Sequence, residues 1–275
     1  MKANFWLLEL LSVAGITEPD LQTNLIDDLV LKPEAKSMIK ALSEAYTVQK
    51  GPGGRFSADF VRNKGEGQIF LLHGKPGVGK TTTAECVAEL TQRPLLSLTC
   101  GDLGIEPLEV EHSLMKWLKL ATLWEAILLL DEADVYLESR LSQDLQRNSL
   151  VSIFLRALEY YQGILFLTTN RVGSFDDGFT SRIHVIIHYP DFEDKQRAQI
   201  WDIFFKKLER EREHVRVTQR AVDYAKDSAD VKALGWNGRE IRNGKLCETP
   251  VLTSLKIISD NFVDSIQHSR GIGRV

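Results

Sequence analysis

Residues 74–81 constrain the fold of this chain more than any other feature. They read Gly-Lys-Pro-Gly-Val-Gly-Lys-Thr and follow Ile69–His73, a short apolar run of the kind that forms a buried strand. The three glycines let the backbone turn so that successive N–H groups point at phosphate oxygens, and the helix pattern that begins near Lys80 adds its positive N-terminal dipole. This order of strand, glycine-rich turn and helix predicts a phosphate-binding loop.

Two side chains of this loop carry specific chemistry. Lys80 can reach the β- and γ-phosphates of a nucleoside triphosphate, and the Thr81 hydroxyl can take one coordination position of Mg²⁺. The alternative is a glycine-rich turn without a ligand, but a chance match in a chain of this length is on the order of one in a hundred. The residues predicted to bind nucleotide in this segment are Gly74, Lys75, Pro76, Gly77, Val78, Gly79, Lys80, Thr81 and Thr82.

A second motif follows another apolar run. Residues 127–134 read Ile-Leu-Leu-Leu-Asp-Glu-Ala-Asp, so the run ends in the carboxylates of Asp131 and Glu132. Ligands of open α/β sheets bind at the carboxyl ends of the strands. We therefore expect Asp131 to hold Mg²⁺ through water, and Glu132 to act as the general base or to position the water that attacks the γ-phosphate. Acidic residues often end strands, so the motif is specific only in combination with the loop at Lys80.

Short apolar runs alternate with helical patterns as far as residue 189, which is typical of a parallel sheet with crossover helices. The runs predicted as strands are Ile69–His73, Leu95–Leu98, Ala126–Leu130, Ile164–Thr168 and Ile183–Ile187. The patterns predicted as helices between them are Lys80–Leu90, Val110–Trp124 and Asn148–Tyr160. We predict an N-terminal extension over residues 1–24, an α/β core over 25–189 and a helical region over 190–275 that is irregular after residue 243.

The bulk composition excludes several functional classes. The net charge is −4 and the pI is about 5.9, which does not match a dedicated nucleic-acid binder. The three scattered cysteines lack metal-ligand spacing and predict reduced thiols in an intracellular protein, with the compartment left open. No apolar run approaches the roughly 20 residues that span a bilayer. Glu9 interrupts Phe5–Leu11, which favours an amphipathic helix over a signal peptide.

On these motifs the chain resembles the AAA+ ATPases, and more narrowly a group of fungal AAA-type ATPases. The segments that carry the resemblance are Asp28–Leu31, Leu71–Thr81, Leu128–Val135, Thr168–Arg171 and Ser181–His184. The resemblance covers about residues 25 to 243. It implies an α/β P-loop NTPase fold with a five-stranded parallel sheet of order 5-1-4-3-2, a small C-terminal helical lid, and ATP and Mg²⁺ as ligands.

The resemblance also implies roles for residues outside the two motifs. Asn170 matches the sensor 1 position, where an amide orients the attacking water, although an Asn that caps a strand is the alternative. Arg182 matches the arginine finger that one subunit inserts into a neighbour's site, and the alternative is a surface arginine paired with Asp176 or Asp177. Such a finger is worth about 10³–10⁵ in rate.

The same resemblance implies roles for residues of the lid and for the segment near the adenine. Arg239 matches the sensor 2 arginine that contacts the γ-phosphate, with Arg242 in reserve, and a solvent-facing arginine is the alternative. Asp28–Leu31 match the segment that passes near the adenine.

Two features depart from the family pattern. Residues 99–105 lack the aromatic residue of threading AAA proteins, and Gly244 and Pro250 interrupt the lid helix.

Two functions remain open at this stage. The first is an ATPase that assembles as a homo-oligomeric ring, with a hexamer as one allowed size, and remodels a protein client. The second is a nucleotide-gated binding module with little turnover, which the irregular lid and the absent aromatic residue favour. A DNA-linked clamp loader or initiator is disfavoured by the acidic charge, and a small-molecule kinase by the sensor-and-lid pattern.

Overall fold

The computed structural model describes residues 21–48, 65–137, 144–171, 175, 177–211 and 217–243. Its strands are β1 Gln68–Gly74, β2 Leu95–Thr99, β3 Ile127–Asp131, β4 Ile164–Thr169 and β5 Val185–Tyr189. Its helices are α1 Pro33–Val48, α2 Lys80–Thr91, α3 Cys100–Leu103, α4 Pro107–Leu123, α5 Asp134–Leu137, α6 Leu145–Glu159, α7 Asp177–Thr180, α8 Asp194–Glu211, α9 Gln219–Asp227, α10 Ala229–Ala233 and α11 Gly238–Asn243. The apolar run at 5–11 and the irregular lid after residue 243 lie outside the described residues.

The five strands form one parallel sheet in the order β2-β3-β4-β1-β5, which confirms the predicted order 5-1-4-3-2. The central strands are buried on both faces, as their unbroken apolar sequences require. Strand β4 lies between β1 and β3, with Leu71 opposite Leu167 and Leu129 opposite Phe166. Because all strands are parallel, the chain leaves β1, β3 and β4 at the same edge of the sheet.

Each face of the sheet has its own apolar core. On one face, α4, α5 and α6 cover the sheet, and the rings of Tyr136 and Phe154 stack with centroids 5.0 Å apart. On the other face, α1, α2 and a 3-10 turn at Leu25–Asp28 cover it, and Phe70 stacks on Phe166 with centroids 4.7 Å apart. Two covered faces are what a parallel sheet needs, since its strands expose no polar side.

The fifth strand differs from its prediction by two residues at each end. It was expected over Ile183–Ile187 and runs over Val185–Tyr189. The backbone N–H groups of Arg182 and Ile183 both donate to the carbonyl of Phe179, so these residues close the turn after α7 and do not join the sheet. Among the described strands, β5 pairs only with β1, and it alternates buried and exposed residues, which is the pattern of an edge strand.

Two helices begin earlier than their apolar patterns predict. Helix α4 begins at Pro107 and not at Val110, because proline has no N–H to lose and its fixed φ suits the first helical position. Helix α6 begins at Leu145 and not at Asn148, and the Asp144 carboxylate caps it by accepting from the N–H of Arg147 at 3.0 Å. The proline of α4 and the Asp144 cap of α6 therefore start both helices about one turn before their apolar periodicity begins.

Helices α8 to α11 follow the sheet, and α8, α9 and α11 contribute to a small core. Its buried members are Ile200, Trp201, Phe205, Ala225, Trp236 and Ile241. The helical region was predicted from residue 190, and α8 begins at Asp194. The charged end of α8 is largely exposed over residues 206–211. Among the described residues, no helix has the length and apolar character needed to cross a membrane.

The buried stack on β4 gives a stability prediction. Phe166 is fully buried, so Phe166→Ala should lower the free energy of unfolding by about 3–5 kcal/mol through lost burial and a cavity. The control is Ile186→Thr on β5, whose side chain is 45% exposed and whose loss should stay below about 0.5 kcal/mol. Urea denaturation followed by circular dichroism measures both. Equal losses would contradict the placement of Phe166 in the core.

Candidate nucleotide-binding site

The loop between β1 and α2 has the backbone that its glycines predict. The φ angles of Gly74, Gly77 and Gly79 are 148°, 80° and 98°, a range that side chains with a Cβ rarely adopt. A Cβ on Gly79 would meet nothing within 4 Å, whereas one on Gly77 would collide with the side chain of Asn237. The loop is therefore open beside Gly79 and packed against the lid at Gly77.

Lys80 lies at the start of α2 with only 7% of its surface exposed. Its Nζ donates to the carbonyls of Gly74 and Lys75 at 2.7 and 2.8 Å, and to Oδ1 of Asn170 at 2.9 Å. Burial lowers the pKa of Lys80, and the nearby carboxylate of Asp131 opposes this shift. The ammonium group is thus held over the loop, on the side where phosphate oxygens would bind.

Thr81 and Asp131 meet across the cleft. The hydroxyl of Thr81 donates to the Asp131 carboxylate at 3.1 Å, which leaves the lone pairs of its oxygen free for a cation. Within the described ranges, no group of three or more His, Cys, Asp or Glu side chains could hold a metal by itself. One hydroxyl and one carboxylate fit Mg²⁺, which usually binds one or two protein oxygens together with substrate phosphates.

Glu132 follows β3 directly and lines the same cleft, with an exposed side chain. Its φ is +56°, an unusual value for a residue with a side chain. Its N–H donates to Oγ1 of Thr168 at 3.0 Å, and its carbonyl accepts from the thiol of Cys100 at 3.0 Å. Burial raises the pKa of that thiol to about 11, so it keeps the proton it donates. Both peptide groups of Glu132 are therefore held.

Asn170 lies after β4, where its side-chain oxygen contacts Lys80. Its backbone N–H donates to Oδ1 of Asp134 at 3.2 Å, and the Thr169 hydroxyl donates to the same oxygen. Asp134 thus fixes the turn that presents Asn170. Asp134 belongs to the sequence motif at residues 127–134, but the motif alone indicates no role for it. An acidic residue three positions after Asp131, facing the end of the next strand, is the signal that could have found it.

The cleft has a volume of about 420 Å³ and a less polar end beyond the loop. Residues 28–31, expected near an adenine, line it. Side chains outside every sequence motif complete this end, and they are Tyr189, Phe192, Ile200, Ile203 and Phe204. They come from β5, α8 and the short segment between them. This part of the chain is distant from the loop in sequence, so local motifs carry no signal for it.

The lid supplies the remaining wall. Arg239 and Arg242 both line the cleft with exposed side chains, and the positive charge of Arg239 contributes to the lowered pKa of Lys80. Helix α11 begins beside the loop because Asn237 and Glu240 cap it reciprocally, each accepting the other's backbone N–H at 2.9 Å. The structure therefore brings both candidate lid arginines to the cleft.

Arg182 lies outside the cleft of its own chain. Its guanidinium donates to the Glu159 carboxylate and to the carbonyl of Gly178, both at 2.9 Å. The alternative partners named from sequence were Asp176, which is outside the described residues, and Asp177, whose side chain is not described. A finger that serves a neighbouring copy must lie away from its own site, so its role stays a prediction.

Comparison with known proteins agrees with this geometry. The model of the ATPase family associated with various cellular activities (AAA) matches residues 70–191, and that of the fungal AAA+ ATPase lid domain matches residues 192–251. The chain belongs to the AAA family of ATPases. The two matches together run from β1 through the lid, and they meet between Asp191 and Phe192.

Curated relatives of this AAA protein are longer than the chain itself. It is 25% identical to human ATPase family AAA domain-containing protein 3B over 234 residues, which are 79% of this chain and 34% of the relative. It is 26% identical to ATPase family AAA domain-containing protein 3 of Xenopus tropicalis over 78% of this chain and 36% of the relative. The chain thus spans about a third of the length of these relatives.

Solved structures share the fold. The Escherichia coli MS115-1 HORMA:CdnC:Trip13 complex contains a chain with a TM-score of 0.59 and 18% identity, covering 89% of this chain and 93% of that one. The AAA domain of FIGL-1 in complex with ADP gives a TM-score of 0.59 and 18% identity over 94% of this chain and 82% of that one. At this identity the likeness concerns the fold alone.

The burial of Lys80 predicts its importance for binding. Lys80→Met keeps the length of the side chain and removes its charge, so ATP affinity should fall about tenfold or more, since a hydrogen bond to a charged group is worth roughly 1.5–3 kcal/mol. The control is Lys119→Met, on the exposed face of α4. Isothermal titration calorimetry with ATP measures both. Wild-type affinity in Lys80→Met would refute this position for the phosphates.

Proposed function

We propose that this chain binds ATP and hydrolyses it with Mg²⁺, as an oligomeric ATPase that remodels a protein client. One observation carries the proposal. One cleft between the sheet and the lid is lined by residues from the start of α2, the end of β3 and the turn after β4: Lys80, Thr81, Asp131, Glu132 and Asn170. Phosphoryl transfer depends chiefly on positioning and electrostatic stabilisation, and these are the side-chain types that provide both.

Each residue has a distinct task in this mechanism. The loop N–H groups and the Lys80 ammonium bind and orient the phosphates, and Thr81 and Asp131 would hold Mg²⁺. When bound, Mg²⁺ neutralises charge that develops on the phosphate oxygens. Glu132 accepts a proton from the attacking water, and Asn170 orients that water. The apolar side chains at the far end of the cleft give an adenine ring a surface to stack on.

The assembly is the less direct part of the proposal. Arg182 would reach the cleft of a neighbouring copy, which makes the working unit a homo-oligomer, most simply a closed ring. Arg182 must then leave its ion pair with Glu159 and contact the phosphates bound in the neighbouring copy. Support for a protein client comes from the E. coli neighbour, which was solved in a HORMA:CdnC:Trip13 complex. We also retain an intracellular location as a prediction.

Turnover measured against protein concentration tests chemistry and assembly together. Wild-type ATPase activity per chain should rise with concentration, because the arginine comes from another copy. Glu132→Gln should bind ATP but lose about 10²–10⁴-fold in turnover. Arg182→Ala should lose about 10³–10⁵-fold and remain slow at every concentration.

The matched control for the arginine is Arg156→Ala, which removes an exposed arginine of α6 that pairs with Glu111. It should retain wild-type turnover. If wild type hydrolyses ATP no faster than Glu132→Gln, hydrolysis by this site is excluded. If Arg182→Ala matches wild type while Glu132→Gln does not, the chemistry stands and the shared site is excluded.

A second candidate is an ATP-gated binding module with little turnover. The ion pair of Arg182 with Glu159 favours it, because the guanidinium already has two acceptors within its own chain. In that case ATP would raise the melting temperature, as any ligand of the folded state does, without measurable hydrolysis. The ratio of wild-type turnover to Glu132→Gln turnover distinguishes the two candidates. It is large for an ATPase and close to one for a binding module.

A further inference from the structure

Thr168 contacts three consecutive residues at the end of β3. Its hydroxyl donates to Oδ1 of Asp131 and accepts from the N–H of Glu132 at 3.0 Å. Its carbonyl accepts from the N–H of Ala133 at 2.8 Å. The residue is 1% exposed, so water does not replace these contacts. One side chain on β4 therefore touches both acidic residues to which the mechanism gives a role.

These contacts lie where the regular sheet ends. The parallel register of β3 and β4 runs to the pair Leu130 and Leu167. Beyond it, Glu132 turns into the left-handed region with a φ of +56°. A side-chain-bearing residue keeps such a backbone only where its surroundings determine it. The Thr168 hydroxyl, the Cys100 thiol and the Ala133 N–H bond are the described contacts that do so.

The chemistry of the contact requires a hydroxyl. A hydroxyl group has one proton and two lone pairs, so it can donate to a carboxylate and accept from an N–H at the same time. Valine has the same shape and can do neither. Thr169, the next residue, points its hydroxyl to Asp134 instead, because successive side chains of a strand alternate between its two faces. The two threonines thus serve different carboxylates.

We propose that Thr168 is a positioning residue that sets the Asp131 carboxylate and the Glu132 backbone together, and so couples the Mg²⁺ side of the site to the water-activating side. The part that concerns Glu132 rests on the proposed hydrolysis. The part that concerns Asp131 does not, because it predicts an effect on binding alone. Partners of metal-binding residues typically change metal affinity or activity about 10–100-fold when they are removed.

The binding experiment works without turnover. In the full chain carrying Glu132→Gln, ATP affinity is measured by calorimetry with Mg²⁺ and with EDTA, and the ratio gives the Mg²⁺ enhancement. Adding Thr168→Val should lower that enhancement about tenfold while the affinity in EDTA stays within about twofold. Thr168→Ser should restore it. Thr122→Val is the control, since the hydrogen bond that the described residues give this hydroxyl goes to the Leu118 carbonyl of its own helix.

The turnover experiment uses the same substitutions in the wild-type background. Thr168→Val should lower kcat about tenfold or more and raise the KM for MgATP by up to about tenfold, because the Mg²⁺-dependent part of ATP binding is weakened. The melting temperature should stay near wild type, and Thr168→Ser should recover most of kcat and KM. If Thr168 had only a structural role, Thr168→Val would lower the melting temperature. It would leave the Mg²⁺ enhancement, kcat and KM of the folded protein unchanged.

The outcomes separate this proposal from the proposed function. The role of Thr168 is overturned if Thr168→Val leaves the Mg²⁺ enhancement unchanged. It is also overturned if the Glu132→Gln parent shows no Mg²⁺ enhancement at all. Wild-type kcat in Thr168→Val, or a kcat that Thr168→Ser fails to recover, overturns it as well. If wild type hydrolyses no ATP above the Glu132→Gln level, the proposed hydrolysis fails, and the binding experiment alone then decides the role of Thr168 toward Asp131.

Discussion

The parallel pairing of β4 with β1 on one side and β3 on the other is the constraint on which the site depends. It brings the loop after β1, the carboxylates after β3 and the amide after β4 to one edge, although residues 74, 131 and 170 are far apart in sequence. The pairing is stable because apolar side chains cover both faces of the strands, including the stacked rings of Phe70 and Phe166. The core and the chemistry therefore share the same strands.

Polar contacts at this edge orient what the strands bring together. Hydroxyl groups of Thr81 and Thr168 bind the Asp131 carboxylate, and Asp134 in turn binds the residues that present Asn170. In this partly buried region each of these groups needs a partner, because an unpaired polar group away from water is costly. A single substitution here should therefore disturb several functional side chains at once, which makes paired variants such as valine and serine more informative than alanine.

Apolar runs predicted the positions of the central strands, since a buried parallel strand is a short unbroken apolar run. The order of the strands in the sheet followed from the resemblance to the AAA+ ATPases. Sequence patterns failed at boundaries decided by single contacts. The start of β5 was wrong because Phe179 captures the N–H groups of Arg182 and Ile183, and α6 began early because Asp144 caps it. The pairing of Arg182 with Glu159 was also not foreseen, because residues on different elements meet only after folding.

The sequence by itself determined the phosphate-binding loop, since three glycines and a lysine at fixed spacing are a local requirement of backbone geometry. It also determined the carboxylate pair at 131 and 132, because the end of an apolar strand is a local signal. Only the tertiary structure decided what surrounds them: the apolar end of the cleft from α8, the packing of Asn237 on Gly77, and the three contacts of Thr168. These depend on distances between residues remote in sequence, which local patterns do not encode.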